Sequence, residues 1–467
     1  MKLRLIKDVL TVIAFIGIIA SCSKKDAPLP DNLASFEVSE QGIAETESNV
    51  AIKVKLSRAT DRDIAIAISL TATTGVDYAT DYTTSPAATS NNIVLTILSG
   101  SNEGTITLTK TAGALFYADD QIVFKILSSA SPVIIGDTKE ITLKFSEIVS
   151  TGTSLVGDGG GATYGNKIFF DLSANSQTAV QRTKWDLGFY SDASDWRVIL
   201  NSSTAMMAKQ INKNDLTTVT ATDTIGFSSD VIFNQSAPTT TSLAYIDYPD
   251  GDLTRTAIAA VSVNDADNKV YIINRGTGIG SPAPLRGWKK IRIIRNASGG
   301  YTLQHADIAS TTFTSIDIPK NTTHFFNYIS FETGLVDVEP SAKKWDIAWT
   351  YFANATNFGG GEVPYTFQDF ILQNRNVQIA KVLTSAISYE AFAEADIAAQ
   401  TFVSKQNGIG SDWRAGGGPS TAPSVRTDRF YIIKDSDNNY YKLRFTDMTQ
   451  AGERGYPAFE YVLVKRG

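Results

Sequence analysis

The chain has 467 residues, a formal net charge of −6, 43% hydrophobic residues, two histidines and one cysteine. The acidic balance argues against nucleic-acid binding, which depends on Lys and Arg neutralising phosphates, and a lone cysteine excludes an intramolecular disulfide. One cysteine and two histidines also fall short of a four-ligand structural zinc site, so stability has to come from apolar burial over a length that suits about three domains.

Lys2, Arg4 and Lys7 precede an apolar run from Val9 to Ala20, and Ser21 leads into Cys22. A basic start, a short apolar stretch and small residues before a cleavage point are the layout of a secretory signal, and the run is short for a spanning helix. The stretch is similar to the lipobox of bacterial lipoproteins. That resemblance implies a signal peptide over 1–21, acylation of Cys22, and a lipid anchor worth about 0.8 kcal/mol per buried methylene. It places the protein at the outer membrane or cell surface. An ordinary signal peptide followed by a buried cysteine is the alternative. Residues 22–33, polar with Pro28 and Pro30, read as a tether.

From 34 to 147 the pattern is short strands between turn clusters. Val50-Ala51-Ile52-Lys53-Val54-Lys55-Leu56, Thr105-Ile106-Thr107-Leu108-Thr109 and Glu140-Ile141-Thr142-Leu143-Lys144-Phe145 alternate apolar and polar residues. Such alternation predicts half-buried strands of a sandwich. Glu45 to Asn49 before a strand, Gly75-Val76-Asp77-Tyr78, Gly104 entering a strand, and Asp119-Asp120-Gln121 followed by Ile122 to Leu127 make the segment similar to a Calx-beta domain. That resemblance implies an immunoglobulin-like β-sandwich and names Glu45, Asp77, Asp119 and Asp120 as calcium candidates. Calcium takes six or more oxygens, and Gln121 stands where the family usually shows another acid. The competing reading is that these residues cap sandwich turns.

Residues 148–164 contain five glycines and read as a flexible boundary. Beyond it lies an internal repeat. Lys184-Trp185-Asp186-Leu187 returns as Lys344-Trp345-Asp346-Ile347, Gly278-Ile279-Gly280-Ser281 as Gly408-Ile409-Gly410-Ser411, and Ile293-Ile294-Arg295 as Ile432-Ile433-Lys434. Three landmarks in one order predict two copies of an all-β unit, 165–320 and 321–467. Helical periodicity shows only near 389–399, where Tyr389, Phe392, Ala393 and Ile397 share a face.

Tyr328-Ile329-Ser330-Phe331, the Lys344-Trp345-Asp346 motif, Arg429 to Lys434, Tyr440 to Met448 and Glu453 to Tyr461 make the second copy similar to the HmuY family, secreted or lipid-anchored haem-binding proteins of Bacteroidetes. The first copy shares the resemblance more weakly. It implies an all-β assembly with a loop-framed haem cleft, axial His or Met ligands, and an outer-membrane transporter as partner. This chain departs from the pattern, because the loop Trp413 to Pro419 carries Gly417 where a histidine-bearing family loop stands. The remaining haem-ligand candidates are Met206, Met207, His324 and His305. Against this, Met commonly fills core gaps and His is often merely packed or hydrogen-bonded.

No Gly-x-Ser-x-Gly elbow follows a strand. Gly276 to Gly280 follows one, but Pro282 and Pro284 prevent a helix from opening there to receive a pyrophosphate. The pairs Asp265/Asp267 and Asp435/Asp437 suit turns. The expected architecture is therefore all-β, an immunoglobulin-like sandwich followed by two HmuY-like units. The expected protein is a non-enzymatic, lipid-anchored envelope protein that binds haem or a related hydrophobic ligand; the alternative is an adhesion or scaffold lipoprotein that contacts a protein or glycan.

Overall fold

In the computed structural model, residues 30–43, 47–114, 116, 120–145, 152–416 and 422–467 are described. Ten strands form the first unit: β1 (Asn32–Phe36), β2 (Glu40–Gly42), β3 (Asn49–Leu56), β4 (Ile64–Ala72), β5 (Tyr82–Ser85), β6 (Asn92–Ile97), β7 (Glu103–Lys110), β8 (Gln121–Ser129), β9 (Val133–Ile135) and β10 (Glu140–Lys144). They make two sheets, ordered β5-β7-β3-β1-β9 and β2-β10-β8-β4-β6. The alternation seen in sequence becomes alternate burial. In β4, Ile64, Ile66, Ile68 and Leu70 turn inward to meet Ile52, Val54, Ile106 and Leu108 from the facing sheet.

The glycine-rich stretch does not stay a plain connection, since β11 (Gly152–Val156) adds antiparallel to the last strand of the chain. The first copy continues with β12 (Asn166–Asp171), β13 (Ser176–Gln181), β14 (Leu187–Tyr190), β15 (Val198–Leu200), β16 (Met207–Gln210), β17 (Tyr271–Asn274), β18 (Trp288–Arg295), β19 (Tyr301–Ala306) and β20 (Thr314–Ile318). The second copy holds β21 (Phe326–Ser330), β22 (Gly334–Val336), β23 (Ile347–Asn357), β24 (Glu362–Gln373), β25 (Gln378–Leu383), β26 (Arg414–Ala415), β27 (Ser424–Val425), β28 (Arg429–Lys434), β29 (Tyr440–Gln450) and β30 (Glu453–Lys465). Helix is scarce: α1 (Phe227–Asp230) and scattered 3-10 turns, one of which, Glu394–Ala399, lies in the segment with helical periodicity. There Tyr389 and Phe392 bury against Phe430 across short turns instead of along a helix.

The two copies exchange their opening hairpins. The β12–β13 hairpin of the first copy joins β23–β24 of the second in the sheet β13-β12-β23-β24. The β21–β22 hairpin of the second copy joins β14–β15 of the first in β15-β14-β21-β22. Each sheet packs on a five-stranded partner, β11-β30-β29-β28-β25 for the former and β16-β17-β18-β19-β20 for the latter.

The repeated Lys-Trp-Asp motif fastens this exchange. The Asp186 N–H donates to Ile329 O at 2.7 Å and its carboxylate accepts from the Phe331 N–H at 2.9 Å. In the other copy the Asp346 N–H donates to Phe170 O at 2.7 Å and its carboxylate accepts from the Leu172 N–H at 2.8 Å. Asn201 and Asn374 brace the two turns alike, donating to the carbonyls of Trp185 and Trp345 at 2.8 Å each. The tryptophans meet the exchanged strands edge to face, Trp185 on Tyr328 at 4.7 Å and Trp345 on Phe169 at 5.1 Å.

Candidate functional site

Cys22, Glu45, Asp119 and Gly417 lie outside the described residues. Asp77 and Asp120 stand at one end of the sandwich, where Thr73 bonds the backbone of Gln121. Asp77 is in a tight turn, its N–H donating to the Asp81 carboxylate at 2.7 Å. Among the described residues no group of three His, Cys, Asp or Glu side chains could hold a metal ion. Asp77 and Asp120 are two of the four calcium candidates; the other two, Glu45 and Asp119, lie outside the described residues.

The four haem-ligand candidates are not brought together. Met206 and Met207 are 1% and 0% exposed and belong to different cores, Met206 between the β14 and β17 sheets and Met207 beneath the turns of 216–246. Consecutive residues entering a strand point to opposite faces, so both thioethers fill apolar space. His305, on β19, is buried with its ring 5.2 Å from Phe331, and neither ring nitrogen has a partner. Burial, and then the Lys289 charge, pushes its pKa down and favours the neutral ring. His324 sits in a turn, its Nδ1 2.8 Å from Thr323 Oγ1 and 3.1 Å from Asn321 Nδ2. Met206 and Met207 lie in separate cores, His305 packs on Phe331 and His324 sits in a turn, so the set does not fit paired axial ligation of haem iron.

A different constellation gathers where the long β23–β24 ribbon meets the 407–416 loop. The ribbon carries a bulge between Thr350 and Phe352, and Asp369 takes a left-handed φ of 54° that turns its carboxylate inside. Asp369 is fully buried, which raises its pKa, while Arg454 and Arg414 oppose the rise. The loop is pinned there. Trp413 Nε1 donates to Asp369 O at 2.9 Å and Arg414 Nη2 to Gln368 O at 2.7 Å, while the Trp413 ring lies 4.3 Å from Phe445.

Between loop and ribbon opens a cleft of about 420 Å³, lined by Phe367, Phe370, Asn354, Arg414 and Arg426 among others. Rings run along the ribbon towards it: Phe358 on Tyr365 at 5.1 Å, Tyr365 on Phe367 at 5.4 Å, Phe367 on Phe370 at 6.2 Å, and Phe370 stacked on Phe352 at 4.9 Å. Phe358, at the far end, is 64% exposed. Asp412, also on the wall, is held by Lys381 at 3.0 Å and Arg429 at 2.6 Å, which leaves the cleft with a positive excess from Arg414 and Arg426. The Oδ1 of Asn354 is buried without a hydrogen-bond partner, and the Nε of Arg414 makes no hydrogen bond although it stands 3.6 Å from Asp369 Oδ2, so a bound donor would relieve the first and a bound acceptor would complete the second. Apolar rings beside two guanidiniums suit a flat hydrophobic molecule with carboxylates. None of the four Met and His candidates lines this cleft.

The sequence had marked the Trp413–Arg414 loop, but the ribbon aromatics and Arg426 escaped notice. Their signal was the aromatic run Tyr365-Thr366-Phe367-Gln368-Asp369-Phe370, which reads in isolation as an ordinary strand.

A search of curated proteins finds no match. Among solved structures, a Bacteroides vulgatus protein described as HmuY-like and haem-binding is 10% identical, with 68% of this chain and 94% of that one covered and a TM-score of 0.19. The apo-form Calx CBD1 domain is 12% identical over 25% of this chain and 97% of its own, with a TM-score of 0.21. A Bacteroides fragilis protein described as a lipoprotein is 10% identical over 38% and 91%, with a TM-score of 0.17. The assignment rests instead on sequence, where the family described as HmuY protein matches twice, over residues 163–314 and 321–461. The chain belongs to the HmuY protein family.

Proposed function

We propose that this is a non-enzymatic envelope protein, anchored by lipid at Cys22 to the outer membrane or cell surface, that binds haem or a related flat, carboxylate-bearing ligand in the ribbon cleft. The observation that carries the reading is the row of rings from Phe358 to Phe352 ending beside Arg414 and Arg426. Family membership and the haem-binding description of the Bacteroides vulgatus protein support it. The ligand is held by its ring and carboxylates, with no role assigned to its metal, and an outer-membrane transporter is the partner that would receive it.

Titration of the mature protein with haemin, read at the Soret band, tests this. The expected result is saturable binding that Arg426→Glu and Phe367→Ala each weaken about tenfold, the loss of one charge-assisted contact or one ring. Absence of a saturable shift in either redox state would leave the second reading, an adhesion or scaffold lipoprotein for a protein or glycan. The observation favouring that reading is the dispersal of Met206, Met207, His305 and His324 away from the cleft. For the anchor, Cys22→Ala is expected to release the protein from membranes; full retention of the variant would count against acylation there.

A further inference from the structure

The copies meet around a small, partly open chamber of about 70 Å³, apart from the ribbon cleft. Trp185 and Trp345 of the two motifs line it, with Phe326 and Tyr328 of one exchanged hairpin, Lys167 of the other, and Glu339. Most polar groups of the wall are satisfied within the fold. Glu339 accepts from the Phe326 N–H at 3.1 Å and the Tyr328 hydroxyl at 2.9 Å, and Asp247 from the amides of Leu200 and Ala257 at 2.6 and 3.0 Å. Two donors differ. Trp345 is 6% exposed and its Nε1–H has no acceptor. The Lys167 ammonium sits over the rings of Phe169 at 4.7 Å and Trp345 at 5.9 Å, with no carboxylate of the described residues within ion-pair distance. Gln373 Oε1, another wall atom without a partner, packs against Gly408.

A buried N–H and an ammonium, both lacking an oxygen acceptor and both beside one ring, call for an anionic oxygen. The wall also presents the apolar side chains of Trp185, Phe325, Phe326, Phe352, Leu253 and Leu372, which suit an apolar tail. At about 10–15 Å³ for an atom the size of a water molecule, the chamber accommodates about five to seven non-hydrogen atoms. We propose that the chamber binds a small carboxylate with a short apolar tail, its carboxylate received by Trp345 Nε1 and Lys167 Nζ. Burial pushes Glu339 and Asp247 up to about 7, which limits the negative charge they present to such a ligand. The site is independent of the haem reading.

Sodium butyrate, with six non-hydrogen atoms, is the probe, and its binding to the mature protein is followed by saturation-transfer NMR and tryptophan fluorescence. The expected result is saturable binding that Lys167→Met and Trp345→Phe each weaken about tenfold, with butanol, which lacks the carboxylate, binding at least about tenfold more weakly than butyrate. The butanol comparison needs no variant and holds even if a substitution unfolds the chain. No saturable butyrate binding, equal binding of butanol, or unchanged affinity in folded variants overturns the proposal.

Discussion

Asp186 is bracketed by two arginines drawn from far along the chain, Arg275 in a bidentate pair at 3.0 Å and Arg286 at 2.9 Å. Asp346, its counterpart, has no arginine paired with it among the described residues; burial, and then the carboxylates of Asp171 and Asp435, hold its pKa well above the ordinary range. One motif position is therefore paired with two arginines in the first copy and favours a protonated carboxyl in the second. Asp186→Asn takes the buried carboxylate from Arg286 and leaves Arg275 with Glu332 at 2.6 Å as its only acidic partner among the described residues, and it is expected to cost about 3–5 kcal/mol. Asp346→Asn keeps an acceptor for the Leu172 amide and is expected to cost less than about 1 kcal/mol. Denaturant unfolding of both variants checks this, and equal losses would contradict it. Glu339 adds a pH dependence. Its folded pKa is raised from 4.5 to about 7 by burial, so the folded state keeps a proton that the unfolded chain releases, and stability falls as pH rises across that window. Glu339→Gln removes this term; its stability relative to wild type is expected to climb between about pH 4.5 and 7 by on the order of a few kcal/mol, as read from melting curves along a pH series.

At the scale of elements, the exchange of β12–β13 for β21–β22 makes each half of the repeat incomplete without the other. A protease site inserted between Thr322 and Thr323, in the exposed turn that joins the copies, is expected to yield two fragments that co-elute on size exclusion and separate only in denaturant. Separation under native conditions would contradict the exchange. This is also where sequence reading reached its limit. Alternation in Val50 to Leu56 or Glu140 to Lys144 marked strands that do form, and the Lys-Trp-Asp repeat marked the copies. Alternation specifies which face of a strand is buried and leaves the pairing partner open. Phe169 and Phe170 look the same in sequence whether they pair within their own copy or with Ala348 and Ile347 of the other. The bracket around Asp186 was likewise illegible, since its arginines arrive only after β17 and β18 are in place. The two methionines were visible as candidates, but burial in opposed cores is a property of packing that local sequence does not announce.

Across the whole molecule, the sandwich is joined to the HmuY units by more than a linker. β11 pairs with β30, Asn175 Nδ2 donates to Glu40 O at 2.9 Å, Lys344 meets Glu47 at 3.2 Å, and a single apolar cluster includes residues of both parts. Exposed ion pairs of this kind add little, so the shared apolar contacts and the strand pairing carry the join. A join of this sort holds the ribbon cleft at a fixed place relative to the sandwich. Hydrogen exchange of the full mature protein with and without haemin tests the central claim most directly, because it locates the ligand as well as detecting it. The expected result is protection confined to the 350–372 ribbon and the 407–416 and 422–428 segments. Protection elsewhere, or none at saturating haemin, would contradict the assignment of the ribbon cleft as the binding site.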